Sequence, residues 1–114
     1  MRIFKVCTVA HWSNAKANGV FSGVAVDLVD GFIHFSTAEQ LAETLQKHFT
    51  GQSDLVLLSV DPEKIGTELK WEPSRGGALF PHLYADLPLA AIVAEHMLET
   101  DAQGVFILPE GLFQ

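Results

Sequence analysis

The sequence predicts an α+β fold, and three observations lead to it. Apolar residues recur at helical spacing over Ala38, Leu41, Ala42, Leu45 and Phe49, while Glu39, Glu43, Gln46 and Lys47 fall mostly on the other side. Short runs of β-branched and aliphatic residues stand apart from that helix, notably Leu55-Val56-Leu57-Leu58-Ser59-Val60. Between them, Asp30-Gly31-Phe32-Ile33-His34-Phe35-Ser36-Thr37 reads as a strand that ends in polar atoms and passes directly into the amphipathic helix. With 114 residues the chain suits one domain, spanning 1–114, that buries roughly two-thirds of its unfolded surface.

Taken in order, residues 3–8 make a first strand, and residues 10–17 a short helix that Asn18-Gly19 stops. Residues 20–28 mix β-branched residues with Ser22-Gly23 and read as an irregular edge or loop. Gly31 then permits a tight entry into the central strand, whose alternation puts Phe32, His34 and Ser36 on one face. Ser36 or Thr37 caps the helix that follows, because Thr37 with Gln40, or Ser36 with Glu39, has capping-box spacing.

Thr50-Gly51-Gln52-Ser53 breaks that helix after about three turns. Residues 55–60 have the continuous apolar run of a fully buried strand, expected beside the His34 strand. Asp61-Pro62-Glu63-Lys64-Ile65-Gly66 supplies a capping Asp, a Pro at the first helical position and a Gly stop, hence one helical turn. Residues 68–72 alternate, with Leu69 and Trp71 on one face and Glu68, Lys70 and Glu72 on the other, before Pro73-Ser74-Arg75-Gly76-Gly77 opens a loop. Phe80-Pro81-His82-Leu83-Tyr84 sets His82 and Tyr84 on one side if extended; residues 91–98 and 105–108 read as strands separated by a polar turn.

Seven Lys and Arg against 14 Asp and Glu leave a net charge of −7, the wrong sign for a nucleic-acid binder that gains affinity by displacing phosphate counterions. No segment has the uninterrupted apolar length of a membrane span. The start of the chain enters a strand pattern without a signal peptide's apolar core, which predicts a cytoplasmic protein. Cys7 is the only cysteine, so an internal disulfide and four-cysteine zinc sites are excluded, and the thiol reads as a small buried residue. No two histidines have the spacing of a local metal motif, and no metal is expected.

His34 is the leading candidate for chemistry, a titratable imidazole interrupting an apolar strand at the entrance to a capped helix. A core histidine satisfied by backbone is the alternative. Ser36 and Thr37 read first as helix caps, with ligand contact as the alternative. Glu72, next to the large Trp71 ring, fits acid or base work if its carboxyl is shielded, and is otherwise a surface strand end. His82 and Tyr84 either wall a pocket or close the core. Arg75, on a glycine hinge, matches an oxyanion or is a solvated loop charge.

Gly31-Phe32-Ile33-His34-Phe35-Ser36-Thr37-Ala38-Glu39-Gln40, Asp61-Pro62 after its strand, Trp71-Glu72, Phe80-Pro81-His82-Leu83-Tyr84 and Leu87-Pro88-Leu89 together resemble the bacterial domain of unknown function 952 family over nearly the whole chain. The resemblance implies an ADP-ribosylation-like fold, with two small packed sheets around a cleft and two main helices, as in diphtheria-type transferases and RNA 2′-phosphotransferases. It implies NAD, ADP-ribose or another nucleotide-like small molecule as ligand, and glycosyl or ADP-ribosyl transfer as activity.

In this reading His34 and Ser36 match the His-x-Ser step of the phosphotransferases and contact ribose or phosphate. Glu72 stabilises an oxocarbenium-like centre or acts as base, and His82 and Tyr84 orient the ring. Those relatives hold phosphates with several arginines and a first-strand histidine, whereas this chain has Phe4-Lys5 there and Arg75 alone in reach of a cleft, which disfavours RNA phosphotransfer. The competing expectation is a non-enzymatic ligand-binding or protein-interaction module that keeps the fold without catalysis.

Overall fold

The computed structural model describes residues 1–109, and the side chain of Arg75 lies outside that description. Strand β1 (Ile3–Thr8) leads into helix α1 (Val9–Asn18), which Thr8 caps by accepting from the His11 amide and which Gly19 closes at φ 84°. After β2 (Val20–Phe21) come helix α2 (Ala25–Asp30), β3 (Ile33–His34), β4 (Ser36–Thr37) and helix α3 (Ala38–His48). The second half is built of β5 (Leu55–Val60), β6 (Leu69–Pro73), β7 (Leu79–Leu83), β8 (Leu87–Pro88), β9 (Ile92–Met97), β10 (Glu99–Thr100) and β11 (Phe106–Ile107), with single 3-10 turns between some of them.

These strands form several small antiparallel sheets. The largest has the order β4-β1-β5-β9, with Ile3 opposite Val60 and Thr8 opposite Leu55 along its central pair. A second sheet has the order β3-β7-β6, and β2-β8 and β10-β11 are two-stranded ladders.

The two central strands of the large sheet, β1 and β5, are buried on both faces, which is why β5 is apolar at nearly every position instead of alternating. Leu55 and Leu57 of β5 join Phe4 and Val6 of β1 under Leu41 and Leu45 of α3. Val56, Leu58 and Val60 join Ile3 and Cys7 beneath Trp12 and Ala15 of α1 and Ile33 and Leu83 of the second sheet. Lys5 lies between Ile3 and Cys7 in this alternation and therefore faces the second sheet from inside the core.

Three expectations from the sequence change. Residues 20–28 are not an irregular edge: β2 pairs with β8, and α2 follows at once, its first turn tied by Asp27 Oδ2 accepting from the Val24 amide at 2.8 Å. Gly31, at φ 85°, ends α2 by donating to Asp27 O, so its left-handed backbone closes a helix as well as opening a strand. The described residues accordingly form three α-helices, α2 being the short one.

The strand through His34 is also two strands. Ile33 and His34 pair with Leu83 and His82, whereas Ser36 and Thr37 pair with Phe4 and Ile3 of the large sheet. Phe35, at the crossing, donates its amide to Pro81 O and buries its ring. Finally, β5 does not neighbour the His34 strand; β1 lies between β5 and β4.

Candidate functional site

The crossing at Phe35 places the two histidines of the second sheet against each other. His34 and His82 are directly opposite in the β3–β7 register, and their rings meet edge to face with centroids 5.4 Å apart. Phe32 packs on this pair, stacked on His82 at 4.2 Å and tilted against His34 at 4.5 Å and Tyr84 at 5.1 Å. Such offset and tilted rings set each other's orientation.

Each imidazole is held at Nδ1 by a carboxylate. His34 Nδ1 lies 2.7 Å from Asp27 Oδ1, and its Nε2 lies 2.9 Å from Asp30 Oδ2. His82 Nδ1 lies 2.9 Å from Glu72 Oε1, the oxygen that also accepts from the Tyr84 hydroxyl at 2.7 Å. Asp27 is the hub of the first half. Only 2% exposed, it accepts from Lys5 Nζ at 2.9 and 2.8 Å, from the His34 amide at 3.1 Å and from the Val24 amide.

The electrostatics follow from these contacts. Burial by itself would push the Asp27 carboxyl up, but the His34 bond, the Lys5 charge and bond, and the Val24 amide outweigh it and hold the group down at about 2. Burial draws the Lys5 ammonium below its ordinary value against the pull of Asp27. The Tyr84 hydroxyl and then His82 hold Glu72 below the ordinary carboxylate value, and Glu72 in turn raises the Tyr84 phenol. Burial raises the Cys7 thiol to about 11, so it stays a thiol at neutral pH.

A cavity of about 490 Å³ opens beside the imidazole pair. His34, His82, Ser36 and Asp30 contribute to its polar lining, and Phe35 and Phe80 to its apolar wall. Ser36 is buried and shares a 2.8 Å hydrogen bond with Thr44 of α3.

Of the residues singled out in the sequence, His34, Ser36 and His82 thus come together on one concavity. Glu72 stands behind His82 rather than in the lining, on the strand face opposite the Trp71 ring, so its carboxyl is kept anionic by hydrogen bonds rather than neutral by an apolar neighbour. Tyr84 is half-exposed beside Phe32 and reaches the site through Glu72. Thr37 caps α3, accepting from the Gln40 amide while Gln40 Oε1 accepts from the Thr37 amide, and does not line the cavity. The Arg75 side chain lies outside the described residues.

Sequence reasoning missed Asp27, Asp30 and Lys5 as site residues. The signal was present for the two acids: at spacing i and i+3 they share a helix face, visible once residues 25–30 are read as a helix. Lys5 carried a weaker signal, a charge in an inward position between Ile3 and Cys7. Among the described residues no group of three or more His, Cys, Asp or Glu side chains is placed to hold a metal ion, and no helix is long and apolar enough to cross a membrane.

Solved structures of protein CC0527 from Caulobacter crescentus are similar to this chain. An X-ray structure is 51% identical with a TM-score of 0.94, and that of a double mutant is 50% identical with the same score, each covering 100% of both chains. A solution NMR structure is 54% identical over 91% of this chain and 90% of that one, with a TM-score of 0.82. No curated protein matches. The model of a protein family of unknown function, DUF952, matches residues 6–95, and the chain belongs to that family.

Proposed function

We propose that the cavity beside His34 and His82 is a transferase-like cleft that binds NAD, ADP-ribose or another nucleotide-like ligand and transfers a glycosyl or ADP-ribosyl group. The observation that carries this reading is the pair of opposed imidazoles, each oriented at Nδ1 by a carboxylate, on the wall of one cavity. A volume of about 490 Å³ suits a ligand of this size, and a mostly apolar wall with a few convergent polar groups suits a planar ring bearing a ribose. In our reading the two sheets and the cleft between them are an ADP-ribosylation-like fold in a cytoplasmic protein.

His34 and Ser36 hold the ribose hydroxyls, Phe35 and Phe80 flank the base, and the carboxylates around the imidazoles favour the cationic, oxocarbenium-like centre of the transition state. The C1–N glycosidic bond breaks with its electron pair leaving on the base nitrogen. A C1–O bond forms to an acceptor hydroxyl, whose proton passes to His82 Nε2, because Nδ1 is committed to Glu72. Glu72 acts as a positioning residue for His82.

Calorimetry and amide NMR titrations with NAD and ADP-ribose test this. Heat of binding with shifted His34 and His82 amides is expected; no heat and no shifts near His34 at millimolar ligand would sink the reading.

A second reading, a binding module without turnover, is favoured by one observation: Asp27, Asp30 and Glu72 are all engaged by imidazoles. Saturable binding with no release of the base from NAD over hours is its signature.

A further inference from the structure

Helix α2 carries the acidic half of the site on a weakly anchored frame. Of its side chains only Asp27 is buried, while Val26, Leu28 and Val29 are 54%, 69% and 84% exposed. Little apolar area therefore holds it to the core, and its 6 residues are too few for a helix to persist on its own. The side-chain ties that hold it are those of Asp27 to Lys5 and His34 and that of Asp30 to His34. Val26 and Asp30 line the cavity, so this helix is part of its wall.

The His34 ring stands between two carboxylates of that one helix, 2.7 Å from Asp27 at Nδ1 and 2.9 Å from Asp30 at Nε2. Ionised carboxylates only accept, so both contacts require a proton on both nitrogens, which only the imidazolium has. A neutral ring keeps one. Loss of a donor costs most at the buried Asp27, so the remaining proton stays on Nδ1 and a lone pair at Nε2 then faces Asp30.

The other groups facing this ring do not supply the missing donor. Lys5 of β1 serves Asp27 in either state; His82 of β7 presents its ring edge to face at 5.4 Å and is itself bonded to Glu72 of β6; Tyr84 reaches the cluster through Glu72 and Phe32.

We infer that α2 is a pH-responsive flap on the cavity wall, latched through Asp30 when His34 is protonated and loosened when that imidazole is neutral. Its bearing on ligand access rests on the cavity being the ligand site; the motion itself needs no ligand.

Hydrogen exchange of the full chain without ligand, from about pH 5 to about pH 8 and corrected for intrinsic rates, reads the latch directly. The reporters are the Leu28 and Gly31 amides, which donate to Val24 O and Asp27 O within and at the end of α2. Their protection should fall about two- to fivefold as pH rises, the scale of a half-exposed ion pair, and Asp30→Asn should abolish the dependence. Unchanged protection in the native chain would overturn the inference. So would an equal fall in Asp30→Asn, or a dependence abolished by His82→Gln and retained in Asp30→Asn. Because no nucleotide is present, failure of the NAD and ADP-ribose titrations leaves this result standing, and the reverse holds as well.

Discussion

Asp27 shows how one side chain can organise a site. Its carboxylate is the shared acceptor for a buried ammonium, an imidazole and two amides, drawn from β1, β3 and the residue before α2. Removing its charge strands Lys5 in the core, so Asp27→Asn should cost about 3–5 kcal/mol in urea unfolding, whereas Lys5→Met, which leaves Asp27 its imidazole and amide donors, should cost about 1.5–3 kcal/mol. The pH dependence has a definite sign. Asp27 titrates at about 2 in the fold against an ordinary 3.8, so its stabilisation is complete above the higher value and is lost as pH falls through the lower one. On the order of 2 kcal/mol is at stake, and the stability gap between the native chain and Asp27→Asn should narrow as pH is lowered from about 4 to about 2. At the other half of the site, Glu72→Gln removes the anion that raises the Tyr84 phenol, and an ultraviolet titration should show Tyr84 ionising at lower pH than in the native chain.

At the scale of elements, α3 and α2 are opposite cases. The α3 pattern reads directly from sequence because its signals are local: Thr37 and Gln40 cap each other, and Leu41 and Leu45 fall on the buried stripe. Thr37→Ala should therefore cost about 1 kcal/mol and Leu41→Ala about 2–5 kcal/mol, both measured by chemical unfolding. No apolar stripe marks α2, since its valines and leucine face outward and its one buried residue is an aspartate. Its alanine, leucine and valines alternate with two aspartates without repeating as a buried face. Gly23 belongs to the same element's packing: a Cβ would sit 2.7 Å from Asp27 Cβ, at a φ of 109°. Gly23→Ala should thus destabilise the protein and perturb the His34 amide in NMR spectra, although it removes no hydrogen-bonding group.

Across the whole molecule, the site exists because one extended segment serves two sheets. Residues 33–34 belong to the β3-β7-β6 sheet and residues 36–37 to the β4-β1-β5-β9 sheet, which puts His34 beside His82 and Ser36 beside Thr44 on α3. By itself the sequence determined the α+β class, the strongly patterned elements, a helix cap at Ser36 or Thr37 and the buried Cys7, and it named His34, Ser36 and His82 as candidates, because each is written in periodicity, capping chemistry or charge over a few residues. Tertiary structure alone decided that Asp27 and Lys5 pair in the core, that Glu72 supports His82 from behind, and that β1 separates β5 from β4. Those contacts join residues 22 apart in the chain in the Lys5–Asp27 pair and 10 apart in the Glu72–His82 pair. Their partners are selected by sheet register and by the cost of leaving a buried charge unpaired, neither of which a local pattern encodes.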